Sequence, residues 1–146
     1  MTGALTAVQK VLTTDQLLEL QQKVDQVYVD PALIEYSVKM VTATRKPKDV
    51  GLSELERYIM FGASPRASIN LILTARALAF VRGRGYVLPQ DVLDMALDVI
   101  RHRLVLTYEA LSDNISSDDV LKKILDRIPI PVVPLHEHFH NVHADS

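Results

Sequence analysis

Apolar residues recur along this chain at spacings of three and four for most of its length, the period of helices packed on one side. Leu17, Leu20, Val24 and Val27 form the first stripe, with Thr14 or Thr13 as its cap, and Thr13 followed by Gln16 also fits a capping box. Asp30-Pro31 opens a second helix, with the acid as N-cap and the proline in the first turn. Its stripe is Ile34, Val38 and Val41, with Tyr36 and Met40 to the sides, and Pro47 ends it near Arg45. From Lys46 to Ala63 the period fades. That stretch reads either as one short helical turn within Ser53 to Phe61 or as a flexible insertion.

Ser64-Pro65 marks the start of a long central helix, with Ser64 as N-cap, that continues to about Arg82. Ile69, Ile72, Leu73, Ala77 and Phe80 lie on one face, and Leu71, Ala75, Leu78 and Ala79 cover another. A helix apolar over so much of its circumference is packed on more than one side. Gly83 to Gly85 ends it, and Tyr86-Val87-Leu88 suits a very short strand. Pro89-Gln90-Asp91 starts the next helix, with Asp91 and Asp94 near its positive end and Leu93, Ala96, Leu97 and Ile100 as its stripe. Leu104 to Tyr108 alternates weakly, as a second short strand or a helix continuation. Ser116 to Asp119 caps a last helix with Val120, Leu121, Ile124 and Ile128 inward, and Pro129, Pro131 and Pro134 stop it. The expectation is an all-α domain of five helices with at most two very short strands over residues 1–134. A disordered, histidine-containing tail follows over residues 135–146.

Composition narrows the chemistry. The 146 residues suit a single domain, and 48% hydrophobic against 23% charged residues exclude wholesale disorder. A net charge of −2 argues against a dedicated nucleic-acid binder. The absence of cysteine removes disulfides, thiol catalysis and thiolate-bound zinc. With no apolar run near the length of a membrane span and no signal-peptide pattern at Met1 to Leu5, the reading is a soluble cytoplasmic protein. No phosphate-binding loop, dinucleotide fingerprint, H-E-x-x-H or G-x-S-x-G is present, so the chain has little catalytic apparatus of its own. Four of the five histidines fall between His136 and His143, where they give loose metal affinity without the supporting partners of a structural site. No metal site is expected.

The strongest local signal is Gly62-Ala63-Ser64-Pro65-Arg66-Ala67. It puts Arg66 in the first turn of the central helix, where the helix end is already partly positive. One reading is a solvated arginine that merely follows a cap. The other is an anion at that helix end, on which a guanidinium and free backbone N–H groups converge.

Gly62-Ala63-Ser64-Pro65-Arg66-Ala67-Ser68 resembles the sensor-2 motif of the MoxR family of AAA+ ATPases. Val41-Thr42-Ala43-Thr44-Arg45 resembles that family's V-x-A-T-R, and the run from Arg82 to Val92 its R-G-R-x-Y-V-x-P-x-D-V. Ile100 to Leu104 resembles its V-x-x-H-R-L. Order and spacing agree over roughly residues 8 to 134, although Lys46 to Phe61 is longer than expected. The resemblance implies a C-terminal helical lid whose ATP- and Mg²⁺-binding α/β core lies upstream, in an oligomeric ring with lid and core contacts between subunits. Arg66 then reaches the terminal phosphates of ATP, with Ser64 capping the helix behind it. The whole protein couples ATP hydrolysis to chaperone-like maturation or metal insertion in partner proteins, while this chain alone is no enzyme and holds no cofactor. Arg45, Arg101 and Arg103 read as ordinary helix-end cations. Arg76 reads as structural, snorkelling or paired with Glu35 or Glu109, and Tyr86 and Tyr108 as packed on the helices. The alternatives are a stand-alone nucleic-acid-binding module built on Arg66, Arg76, Arg82 and Arg84, or a free-standing interaction domain.

Overall fold

Residues 7–134 are described by a computed structural model. They form six α-helices: α1 Thr14–Asp25, α2 Pro31–Arg45, α3 Arg66–Val81, α4 Pro89–Ile100, α5 Tyr108–Ser112 and α6 Ser117–Arg127. A short antiparallel pair, β1 Ile59–Phe61 against β2 Val105–Leu106, completes the regular structure. The five expected helices are present, and α5 adds one turn, begun where the Thr107 hydroxyl accepts the Ala110 N–H. The expected strand at Tyr86 is a single parallel bridge. There the Tyr28 N–H donates to the Gly85 carbonyl and the Val87 N–H to the Tyr28 carbonyl, both at 2.9 Å.

The capping chemistry is local and reads directly from sequence. Thr13 and Gln16 exchange side-chain bonds with each other's backbone at the start of α1. Asp30 accepts the Ala32 N–H at 2.8 Å, and Ser116 accepts the Asp119 N–H while Asp119 accepts that of Ser116. Ser116→Ala removes one of these bonds from an exposed helix start, so it is expected to lower stability by about 1 kcal/mol. Urea unfolding of the two proteins measures the difference directly.

The packing faces of the two longest helices match expectation in part: Leu71, Ala75 and Ala79 of α3 and Tyr36, Met40 and Val41 of α2 are buried, while Ile34, Val38, Ile69 and Leu73 are not. Helix α2 turns Leu33, Tyr36, Ser37, Met40, Val41, Ala43 and Thr44 inward and leaves Ile34 and Val38 half exposed. Three hydroxyl side chains sit on its core face; that of Tyr36 has no hydrogen-bond partner among the described residues, whereas those of Ser37 and Thr44 each bond a carbonyl of their own helix. Ser37 donates to Leu33 and Thr44 to Val41, so neither brings an unsatisfied donor into the core. Helix α3 packs against α1, α2 and α4 along Ala67, Leu71, Ala75 and Ala79, all fully buried. A row of residues four apart is a ridge, and small ones let neighbouring helices approach closely. The larger Ile69 and Leu73 therefore point away from that seam and are 60% and 48% exposed.

The segment between α2 and β1 is ordered. Two 3-10 turns, Pro47–Val50 and Ser53–Leu55, flank Gly51, whose φ of +74° lies in the left-handed region. Leu52, Leu55 and Tyr58 are buried beneath it. Hydrogen bonds hold it to the chain around α5: the Thr107 N–H donates to the Tyr58 carbonyl, the Thr107 hydroxyl to the Arg57 carbonyl, and the Tyr58 hydroxyl to Asp113. The flexible-insertion reading is thus replaced by a pinned one.

Candidate functional site

Between β1 and α3 the chain is built onto the last turn of α2. The Ala63 N–H donates to the Thr44 hydroxyl oxygen at 2.9 Å, and the Arg45 guanidinium donates to the Ala63 carbonyl at 3.2 Å. Thr44 is fully buried and passes its own proton to the Val41 carbonyl at 2.7 Å, so both its donor and its acceptor are used. The approach is close enough to demand glycine at position 62. A Cβ there would lie 2.4 Å from the Thr44 carbonyl oxygen and 2.6 Å from its carbon. Two of the quoted sequence segments, Val41 to Arg45 and Gly62 to Ser68, are therefore the two halves of one contact.

Three residues after this anchor, α3 begins with Arg66. Ser64 does not cap it. Pro65 holds the N-cap position with helical angles, φ −55° and ψ −27°, and no side chain closes the end. The turn is made by main chain instead: the Ser64 carbonyl accepts the Ala67 N–H, and the Pro65 carbonyl accepts both the N–H and the hydroxyl of Ser68. The first bonds of this end span three residues, Ser64 to Ala67 and Pro65 to Ser68, so the chain enters α3 through a tighter main-chain turn and the regular helix starts at Arg66.

Arg66 is exposed and makes no ion pair or hydrogen bond with any described residue. Most arginines here are otherwise engaged. Arg57 pairs with Glu109 and Asp113, and Arg101 with Asp98 and Asp118. Arg103 bonds the Val99 carbonyl at 2.9 Å. The expected pairing of Arg76 with Glu35 or Glu109 is not formed, and its Nε is buried without a partner. Tyr86 is half-buried, with the Arg84 guanidinium 6.0 Å from its ring centre. Tyr108 is the correction: at the first position of α5, it is 87% exposed.

The run from Arg82 to Asp91 forms a structural clasp. Asp91 is fully buried and takes a two-pronged contact from Arg84 at 2.6 and 2.7 Å, another from Arg82 at 2.9 Å, and the Leu88 N–H at 2.8 Å. Burial pushes the Asp91 carboxyl up, but the Arg84, Leu88 and Arg82 hydrogen bonds outweigh it and hold it below the ordinary carboxylate range. The clasp joins the end of α3 to the start of α4. It also removes Arg82 and Arg84 from any basic recognition face, leaving the nucleic-acid alternative without two of its four arginines.

Among the described residues no group of three or more His, Cys, Asp or Glu side chains is placed to hold a metal ion. The histidine-containing tail lies outside the described residues. No described helix is long and apolar enough to cross a membrane.

Residues 53–124 match the AAA lid domain family. The chain is 48% identical over 124 residues to Chaperone MoxR1 of Mycobacterium tuberculosis, which covers 85% of this chain and 33% of that protein. It is 38% identical over 84 residues to Protein MoxR of Paracoccus denitrificans, covering 55% of this chain and 25% of that one. The crystal structure of a protein of Cytophaga hutchinsonii assigned as an ATPase superposes with a TM-score of 0.81 at 38% identity, over 85% of this chain and 38% of the other. The chain thus spans about a third of the length of Chaperone MoxR1. Fold, paired motifs and relatives agree, and the chain belongs to the MoxR family of AAA+ ATPases as its helical lid domain.

Proposed function

We propose that this lid presents Arg66 to the terminal phosphates of ATP held, with its Mg²⁺, on an α/β domain of the same protein. The observation that carries the reading is an unpaired arginine at the first position of α3, on a loop clamped to α2, among arginines that are mostly engaged. A cation at the positive end of a helix is poorly placed unless an anion joins it. Phosphate oxygens match a guanidinium in two-pronged geometry, and the α3 dipole adds to the same attraction. Arg66 would bind and stabilise charge on the transferring phosphoryl group and break no bond itself. The α/β domain supplies the metal and the phosphate-binding loop, so this chain alone hydrolyses no ATP. The whole protein would act as a cytoplasmic ring in which lids also meet neighbouring subunits. Its turnover would drive chaperone-like maturation, or metal insertion, in a partner protein.

Arg66→Ala in the full-length protein is the test. Hydrogen bonds to charged groups contribute about 1.5–3 kcal/mol, so ATP turnover is expected to fall by roughly tenfold to a hundredfold. The melting temperature should not change, since Arg66 is exposed and bonds no described residue. Unaltered turnover would remove the phosphate-contact reading.

A further inference from the structure

We infer that Thr44 and Arg45, at the end of α2, are positioning residues for Arg66; the inference rests on the phosphate-contact reading above. Both polar groups of Ala63 are held by α2, its N–H by the Thr44 hydroxyl and its carbonyl by the Arg45 guanidinium. Only Ser64 and Pro65 separate that anchor from Arg66. Proline fixes its own φ, here −55°, and restricts the backbone of the residue before it. Few soft dihedrals therefore remain between the anchored residue and the start of α3.

The Gly62 contact acts in the same direction. With no Cβ, its backbone lies against the Thr44 carbonyl, so the loop has no room to slide toward α2. Thr44 is fixed in turn by its bond to Val41, inside a helix whose neighbouring residues are core. The position of the Arg66 Cα is thus set from α2 as much as from α3. A guanidinium gives two-pronged phosphate contact only within narrow limits of placement, so slack at Ala63 should appear as lost turnover.

The experiment is a double-mutant cycle in the full-length protein, read as ATP turnover and as melting temperature. Thr44→Val keeps the volume and removes the hydroxyl; Thr44→Ser keeps the hydroxyl. If the inference holds, Thr44→Val lowers turnover about tenfold when Arg66 is present and has no further effect when Arg66 is Ala. Thr44→Ser restores most of the loss. A purely structural role predicts the opposite, an equal factor in both backgrounds, and that result would overturn the inference, as would unchanged turnover in Thr44→Val. Arg45→Met carries the same test from an exposed position should Thr44→Val fail to fold. If Arg66→Ala itself leaves turnover intact, the phosphate reading falls first; if only the Thr44 and Arg45 variants are silent, the positioning inference falls alone.

Discussion

Replacing Asp91 with Asn should be among the most damaging single-atom changes in this domain, at about 3 kcal/mol, or roughly 6–12 °C in melting temperature. The side chain is fully buried between Arg82 and Arg84, and it also receives the Leu88 N–H. An amide retains one acceptor for Leu88 but turns an NH₂ group toward guanidinium donors. Removing one partner of a buried pair is costly mainly because of what stays behind unpaired. Arg84 is the group left behind, with a side chain only 19% exposed, whereas Arg82 at 41% can turn to water.

The same carboxylate makes stability depend on pH in a defined direction. Its folded pKa lies below the ordinary value of 3.8, so the folded state keeps its charge where the unfolded chain has begun to take up a proton. The contribution is complete above about pH 4 and is lost as pH falls through the folded pKa. Acid unfolding followed by circular dichroism should therefore show a component below pH 3.8 that is missing from Asp91→Asn. A variant with the same acid profile as the parent would mean that Asp91 is not ionised in the fold.

Gly62→Ala is expected to cost about 3 kcal/mol, at the upper end for inserting a methyl group into a packed site. It meets the Arg45 side chain, which can turn aside, and the Thr44 carbonyl oxygen and carbon, which are helix backbone and have little freedom to yield. The segment must lift, and the Ala63 N–H then loses the Thr44 hydroxyl. Thermal unfolding measures the loss, and faster amide exchange at Ala63 would place it. A variant as stable as the parent would show that the loop has room to move off α2.

The helices were legible because their ends are written in local chemistry. Thr13, Asp30 and Ser116 cap where their residue types say they should, and Pro89 begins α4. The buried faces were less legible, for a physical reason. Hydropathy ranks large apolar residues as core, yet α3 buries Ala67, Ala75 and Ala79 and exposes Ile69, because close helix approach selects for small volume. In α2 the hydroxyls of Ser37 and Thr44 hide the true stripe, since bonds to their own helix make them acceptable inside. The turns between residues 47 and 58 carry too few apolar positions to show a period, and Leu52, Leu55 and Tyr58 hold them by tertiary contact alone.

At the candidate site, Arg66 was visible from its place after Ser64-Pro65, but its lack of a partner was not. Nothing in the spacing of Thr44 and Gly62, 18 positions apart, signals that their backbones touch. The Asp91 clasp was likewise half visible. An acid near a helix start is read from sequence, whereas its capture by Arg82 and Arg84 depends on the left-handed turn at Gly83, φ +77°.

The bridge between Tyr28 and Tyr86 divides the chain energetically at a place the helix boundaries do not mark. Helix α1 buries none of its residues, while Val27, Val29 and Leu33 are all inside. Full burial accordingly begins where Tyr28 exchanges backbone bonds with Gly85 and Val87, and α1, which rests on α3 without a fully buried residue, belongs to the low-stability end of the domain. Amide exchange should accordingly be faster in α1 than in α2, α3 or α4.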